Sequence, residues 1–195
     1  MRTFVIRSRS ANWEKLKESI GAKGHFEIVA HCIMNAFFIS NGFRDAVEVY
    51  IVLDSASDFP RTLQLSHEIS LDGFHETAII DFIVQALRSG ADIQKNESCV
   101  LQAGVKLHGF GFEKCIAQLM ETRPVYLLDK KGGDIRATDL PENPVFILSD
   151  HLALPKNNVK SLMRKGMQTI SLGKKMLFAS QCVVLIHDEL DRKGC

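Results

Sequence analysis

Residues 145–191 read VFILSDHLALPKNNVKSLMRKGMQTISLGKKMLFASQCVVLIHDELD. The apolar run from Val145 to Leu148 predicts a short strand that ends in a polar turn. Gln168 to Leu172 predicts a second strand, which ends in Gly173. A third loop, around Phe178 to Cys182, runs straight into another apolar segment. In open α/β sheets, ligands sit outside the carboxyl ends of parallel strands, where backbone N–H groups and helix starts are left unpaired. Three such loops, close together in the chain, predict a pocket for one small molecule.

Upstream of this stretch, strand and helix patterns alternate. Thr3 to Ile6 reads as a first strand, followed by a helix that starts near Ser10 or Asn12, whose side chains can cap it. Apolar residues from Phe26 to Ile39 recur at helical spacing, and Asn41-Gly42 is expected to stop that helix as a left-handed C-cap. Ala46 to Leu53 is rich in β-branched residues and predicts a central strand. Leu63 to Ile69 suggests a short strand pair broken near Ser66 and His67. Ile79, Ile80, Ile83, Val84 and Leu87 form one face of a helix that ends at Gly90. Val100 to Leu107 is expected as one strand, Phe112 to Met120 as a short helix, and Val125 to Leu128 as a buried strand. Gly132-Gly133 reads as a hairpin turn. Such alternation predicts an α/β fold around a largely parallel sheet. With no internal repeat or linker, residues 1–195 are expected to form one domain.

The composition, 46% hydrophobic and 24% charged over 195 residues, is that of a chain able to bury about 70% of the surface it exposes when unfolded. A net charge of +1 creates no global field for nucleic acid, so any RNA contact must come from local clusters. Two are present in the sequence: Arg2, Arg7, Arg9, Lys15, Lys17 and Lys23, and Lys156, Lys160, Arg164, Lys165, Lys174 and Lys175. Five cysteines, Cys32, Cys99, Cys115, Cys182 and Cys195, are widely spaced with no CxxC pair, which favours reduced thiols over a disulfide framework or a zinc site. His25 and His31 lack the i, i+4 spacing of a helical metal pair, so no metal is expected. The absence of a signal-like apolar start and of any run of ~20 apolar residues predicts a cytoplasmic protein with no membrane partner.

HGFGFEK, at 108–114, lacks the full GxGxxG spacing of a dinucleotide fingerprint, and the chain has neither a GxxxxGK[ST] phosphate loop nor a GxSxG elbow. These absences remove the motif basis for kinase and hydrolase readings. The strings FILSDH, ISLG, LFASQC and VLIHDELD, in that order, resemble the C-terminal half of the TrmY-type tRNA pseudouridine N1-methyltransferases of the SPOUT superfamily. The likeness extends to HCIMNAFFISNGFRDAVEVY, YLLDKKGGDI and DLPENPVFIL. It implies a SPOUT-type largely parallel sheet with a C-terminal trefoil knot, a homodimer, S-adenosylmethionine as cofactor, and RNA, specifically tRNA, as partner.

Matched residue by residue, the resemblance places Leu128, Ser149, Leu172, Gly173, Leu177 and Cys182 at the cofactor, Cys182 through its backbone. It places the pair Arg44 and Asp45 at an RNA-facing catalytic surface. It also implies a helix over Cys182 to Leu190, where VVLI alone would suit a buried strand. Three departures from archaeal members, Ser149 for glycine, YLLDKK for YHLHED and SQC for SHC, keep open a SPOUT-fold RNA-binding protein with another target or without catalysis. A proton acceptor at the target nitrogen is left open between Asp45, Asp150 and water.

Overall fold

A computed structural model describes residues 1–9, 26–55, 58–150, 152 and 154–194. The expected helix near Ser10 or Asn12 lies outside the described residues. The N-terminal strand β1 (Arg2–Ser8) pairs in parallel with β4 (Val47–Leu53) on one side and with β9 (Val145–Ser149) on the other. Beyond β9 come β8 (Val125–Asp134) and the edge strand β10 (Gln168–Ser171), both also parallel. On the other flank, β5 (Arg61–Ser66), β7 (Val105–His108) and β6 (Ser98–Gln102) add an antiparallel extension. The eight-stranded order is β10-β8-β9-β1-β4-β5-β7-β6, an α/β fold with a mostly parallel central sheet.

Strands β1, β4 and β9 are buried almost throughout because helices cover both faces, as parallel sheets require. Phe4, Ile6, Val49 and Ile51 face a core shared with α1 (Glu27–Phe37), α2 (Glu76–Ser89) and α5 (Ala179–Arg192). Val5, Tyr50, Val52 and Ile147 face a second core under α3 (Phe112–Met120) and α4 (Lys156–Arg164). The strands' period of two thus divides one chain into two packed layers.

Four local expectations are corrected. Helix α1 ends at Phe37 with an extended C-cap at Phe38, and Asn41-Gly42 instead turns a small hairpin between β2 (Phe38–Ile39) and β3 (Gly42–Phe43). Phe38 and Phe43 stack across that hairpin with centroids 4.6 Å apart, a contact that the next turn of helix would forfeit. Residues 61–66 form the single strand β5, because pairing with β4 runs unbroken from Arg61 to Ser66. The strand expected over Val100 to Leu107 is a hairpin, β6 and β7, with Ala103-Gly104 at its turn.

The fourth correction matters most for the site. Gly132-Gly133 makes no hairpin. The register places Thr169 opposite Leu127 and Ile170 opposite Gly133, so residues 128–132 bulge out of β8 before the strand rejoins the same neighbour. A Cβ on Gly132 would stand 2.6 Å from the Ile170 nitrogen, so only glycine lets the two backbones close up there. Helix α4 had no sequence-based expectation. Helix α5 is the helix that the resemblance implied.

His187 of α5 is 2% exposed and locks the last helix to the first elements. Its Nε2–H donates to the Ala36 carbonyl (3.1 Å), which leaves Nδ1 to accept from Arg2 Nη1 (2.9 Å). Burial, with the charges of Arg44 and Arg2, pulls its pKa from 6.5 down to about 3. Between those values only the unfolded chain takes up the proton, so acidification favours unfolding. Thermal melts are expected to lose about 2 kcal/mol through this residue between pH 7 and pH 5, and His187→Gln to flatten that part of the pH dependence.

Candidate active site

A cavity of about 640 Å³ opens at the carboxyl ends of β8, β9 and β10. This volume lies in the range of small-molecule sites, and so does the mainly apolar wall with a few polar groups. The wall includes all six residues expected at a cofactor: Leu128 from the β8 bulge, Ser149 after β9, Leu172, Gly173 and Leu177 after β10, and Cys182 in the first turn of α5. Burial pushes the Cys182 thiol up, which disfavours the thiolate and suits a wall residue better than a nucleophile. Cys32, Cys99, Cys115 and Cys182 are free thiols.

Each of the three loops is held by polar contacts that the sequence does not advertise. Gly173 N–H donates to Ser171 Oγ (3.1 Å), and Ile135 N–H donates to the Ser171 carbonyl (3.0 Å), which ties the loop after β10 to the end of β8. Asp150, buried at the pocket wall, accepts from the backbone N–H of Leu152 and of Arg9, both at 2.8 Å. It therefore fastens the loop after β9 to the end of β1. At the start of α5, Gln181 Oε1 accepts from Phe178 N–H (3.0 Å), and Asn35 Nδ2 of α1 reaches the Ser180 carbonyl (3.3 Å). A pocket wall made of backbone and aliphatic side chains offers an adenine ring a slot and edge hydrogen bonds. The cations Lys130 and Lys175 and the carboxylate Asp129 at the same wall match an amino-acid moiety. The residues present fit S-adenosylmethionine.

The whole chain, residues 1–195, matches the model of a family described as "Putative SAM-dependent RNA methyltransferase". The chain belongs to this family. Among similar proteins, a "Putative pseudouridine methyltransferase" of Photobacterium profundum is 46% identical over 195 residues, covering 98% of each chain. One of the same description from Vibrio cholerae is 43% identical over 197 residues, covering 99% of this chain and 98% of the other. Archaeoglobus fulgidus Nep1 bound to S-adenosylhomocysteine shares the fold, with a TM-score of 0.67 at 14% identity, over 98% of this chain and 97% of that one. The structure described as "a putative RNA methyltransferase of the TrmH family" from Porphyromonas gingivalis gives a TM-score of 0.50 at 12% identity, covering 98% of this chain and 59% of that one.

Within this RNA methyltransferase, Arg44 and Asp45 stand apart from the pocket. They precede β4, whose first residue pairs with Arg2, and so lie at the amino end of the parallel strands, opposite the cavity. Asp45 is exposed. Both terminal nitrogens of Arg44 are held by Asp191 of α5, at 2.8 and 3.1 Å, and Arg2 shares that carboxylate at 2.7 Å.

The two cation clusters of the methyltransferase also part company. Arg2 is ion-paired and mostly buried. Arg7 is buried on Phe112 and bonded to Asp54 at 2.6 Å, while Lys15, Lys17 and Lys23 lie outside the described residues. The second cluster is exposed throughout. Sequence reasoning named no role for Asp129, Lys130 or Met176 at the pocket, and gave Phe178 only as the start of a pocket loop. Met176 and Phe178 are 85% and 70% exposed and had a detectable signal, since large apolar residues flank Leu177 in a loop already assigned to the cofactor.

Proposed function

We propose that the protein transfers a methyl group from S-adenosylmethionine to N1 of pseudouridine in structured RNA, with tRNA as the substrate and the cytoplasm as its location. The observation that carries this reading is the convergence of Leu128, Ser149, Leu172, Gly173, Leu177 and Cys182 on one cavity, in a chain similar over its length to proteins described as pseudouridine methyltransferases. A sulfonium supplies an already activated methyl carbon. What remains for the chain is to align the acceptor nitrogen, exclude water and let a proton leave. Leu127, Leu128, Ile147 and Leu172 exclude water at the wall. Asp150 positions its loop by accepting from two backbone N–H groups, and the N1 proton is accepted by Asp45, Asp150 or water.

The functional unit in this reading is a homodimer of single-domain chains. Arg44 and Asp45 are at the wrong end of the sheet for the pocket of their own chain, and a two-fold axis across the α1/α5 layer would bring the amino end of one chain to the carboxyl end of the other. Exposed apolar side chains at both ends, Ile39 and Phe74 at one and Met176 and Phe178 at the other, with Val184 of α5 between, suit such an isologous interface. The trefoil knot belongs to the same proposal. Helix α5 returns from edge strand β10 to α1 past the bulge at residues 128–132, and a chain end drawn through that bulge is the knot.

Tritiated methyl incorporation into matched tRNAs carrying uridine or pseudouridine at the target tests the reaction. Incorporation into the pseudouridine RNA alone is expected. Equal incorporation into both overturns the pseudouridine assignment, and none into either, with both ligands bound, leaves an RNA-binding protein without catalysis. Sedimentation at micromolar concentration is expected to report a dimer.

A further inference from the structure

Residues 151–187 contain six Lys or Arg and no Asp or Glu. The rest of the chain therefore holds 18 cations against 23 acids, a net −5 hidden inside the overall +1. Half of that cationic segment lies on one ridge. Lys156, Lys160 and Arg164 are exposed and four residues apart on α4, so successive charges rise by ~6 Å along the helix.

Among the described residues, no carboxylate pairs with Lys156, Lys160 or Arg164 of this ridge, whereas Arg7, Arg44, Arg61, Arg123 and Arg136 are all ion-paired. Glu113 of α3 is the carboxylate that reaches α4, and it is taken by Asn158 Nδ2 and lies 3.6 Å from Arg7 Nη2. Lys156 sits in a first turn that has no acidic residue and no side-chain cap, where the helix dipole opposes a cation. Val159 and Leu162 pack inward on the second core, so the apolar face of α4 is already satisfied and the cations are what it presents outward. Arg164, in the last turn, is favoured by the dipole, but Lys156 is not, and three like charges at i, i+4 spacing repel one another. A ridge kept at that cost marks a surface for a partner.

We propose that this ridge docks consecutive phosphates of one RNA strand, in the stem that leads to the modified nucleotide. The inference rests on the methyltransferase reading and specifies its substrate as an RNA whose helix extends past the pocket. Position supports the assignment: α4 begins six residues after Asp150 of the pocket wall, and that wall itself carries Lys130 and Lys175. Phosphate contacts position a strand without reading its sequence, in keeping with lysines on a regular helix face.

The test is the variant Lys156→Ala/Lys160→Ala/Arg164→Ala, which leaves Val159 and Leu162 in place. Two probes are used: a pseudouridine-bearing hairpin with a full helical turn of stem, and the same loop on a stem half that length. For the long hairpin, the variant is expected to bind about 10- to 100-fold more weakly near 0.1 M salt, with a salt slope lower by ~2 to 3. KM should rise in step while kcat stays within about two-fold, since the lost contacts are the same in ground and transition states. For the short hairpin, the two proteins should be indistinguishable. An unchanged slope and KM on the long hairpin overturns the proposal, as does a variant that loses binding to phosphatidylserine vesicles while keeping that to RNA. If the wild type fails to methylate either hairpin but the slopes still differ, the ridge stands and the reaction assignment falls.

Discussion

Gly173→Val is expected to weaken S-adenosylhomocysteine binding by about 5- to 150-fold, the equivalent of the ~1 to 3 kcal/mol that a residue pays in a disfavoured backbone region. Gly173 has φ +121°, a region that a β-branched residue all but never enters. A Cβ built there meets no atom within 4 Å, so the penalty comes from the backbone and not from crowding. Gly173→Ala should therefore lose nearly as much affinity as the valine variant. If alanine is tolerated and valine is not, crowding decides after all. Calorimetric titration reads the affinity, and a melting curve checks that the fold survives. Wild-type affinity in both variants would move the cofactor elsewhere.

Arg44→Ala and Asp45→Asn are expected to lower methyl transfer about 10- to 1000-fold while leaving cofactor affinity unchanged, because the groups they remove would act on the target nucleotide in the transition state. A structural alternative has to be separated, since Arg44 shares Asp191 with Arg2. Asp191→Asn breaks the same ion pair but keeps the guanidinium. If that variant loses as much activity as Arg44→Ala, the arginine works through the fold. A mixture of Arg44→Ala and Gly173→Val chains gives a sharper result. In the proposed dimer each homodimer would be crippled, whereas a mixed dimer would pair an intact pocket on one chain with an intact Arg44 on the other. Recovery of activity on mixing is expected, and its absence would rule out an arginine supplied across a dimer.

The residues that the resemblance placed at a cofactor line one cavity because they sit in short contiguous strings at strand ends, such as Leu172-Gly173. The parallel centre was readable, since β4 and β9 are largely apolar and β1 carries Phe4-Val5-Ile6 at its middle. What could not be read depends on partners far along the chain. Gly132-Gly133 has the composition of a turn, and only the approach of β10, some 37 residues later, makes it a close crossing of two backbones. Arg44-Asp45 looks like a free polar pair, and the carboxylate that occupies Arg44 is 147 residues away. Helix α4 escaped because its apolar stripe is narrow, with Leu162 its one buried residue.

The clasp between Arg2, His187 and Asp191 joins the first strand to the last helix across 185 to 189 residues. All three pocket loops also come from the final third of the chain. During synthesis, then, β1 leaves the ribosome long before the residues that hold it, and no nascent chain short of α5 has a complete cofactor site. Such high contact order predicts slow closure after release. Acquisition of S-adenosylhomocysteine binding would then time the last folding event, and a pulse of labelled cofactor during refolding would report completed molecules only.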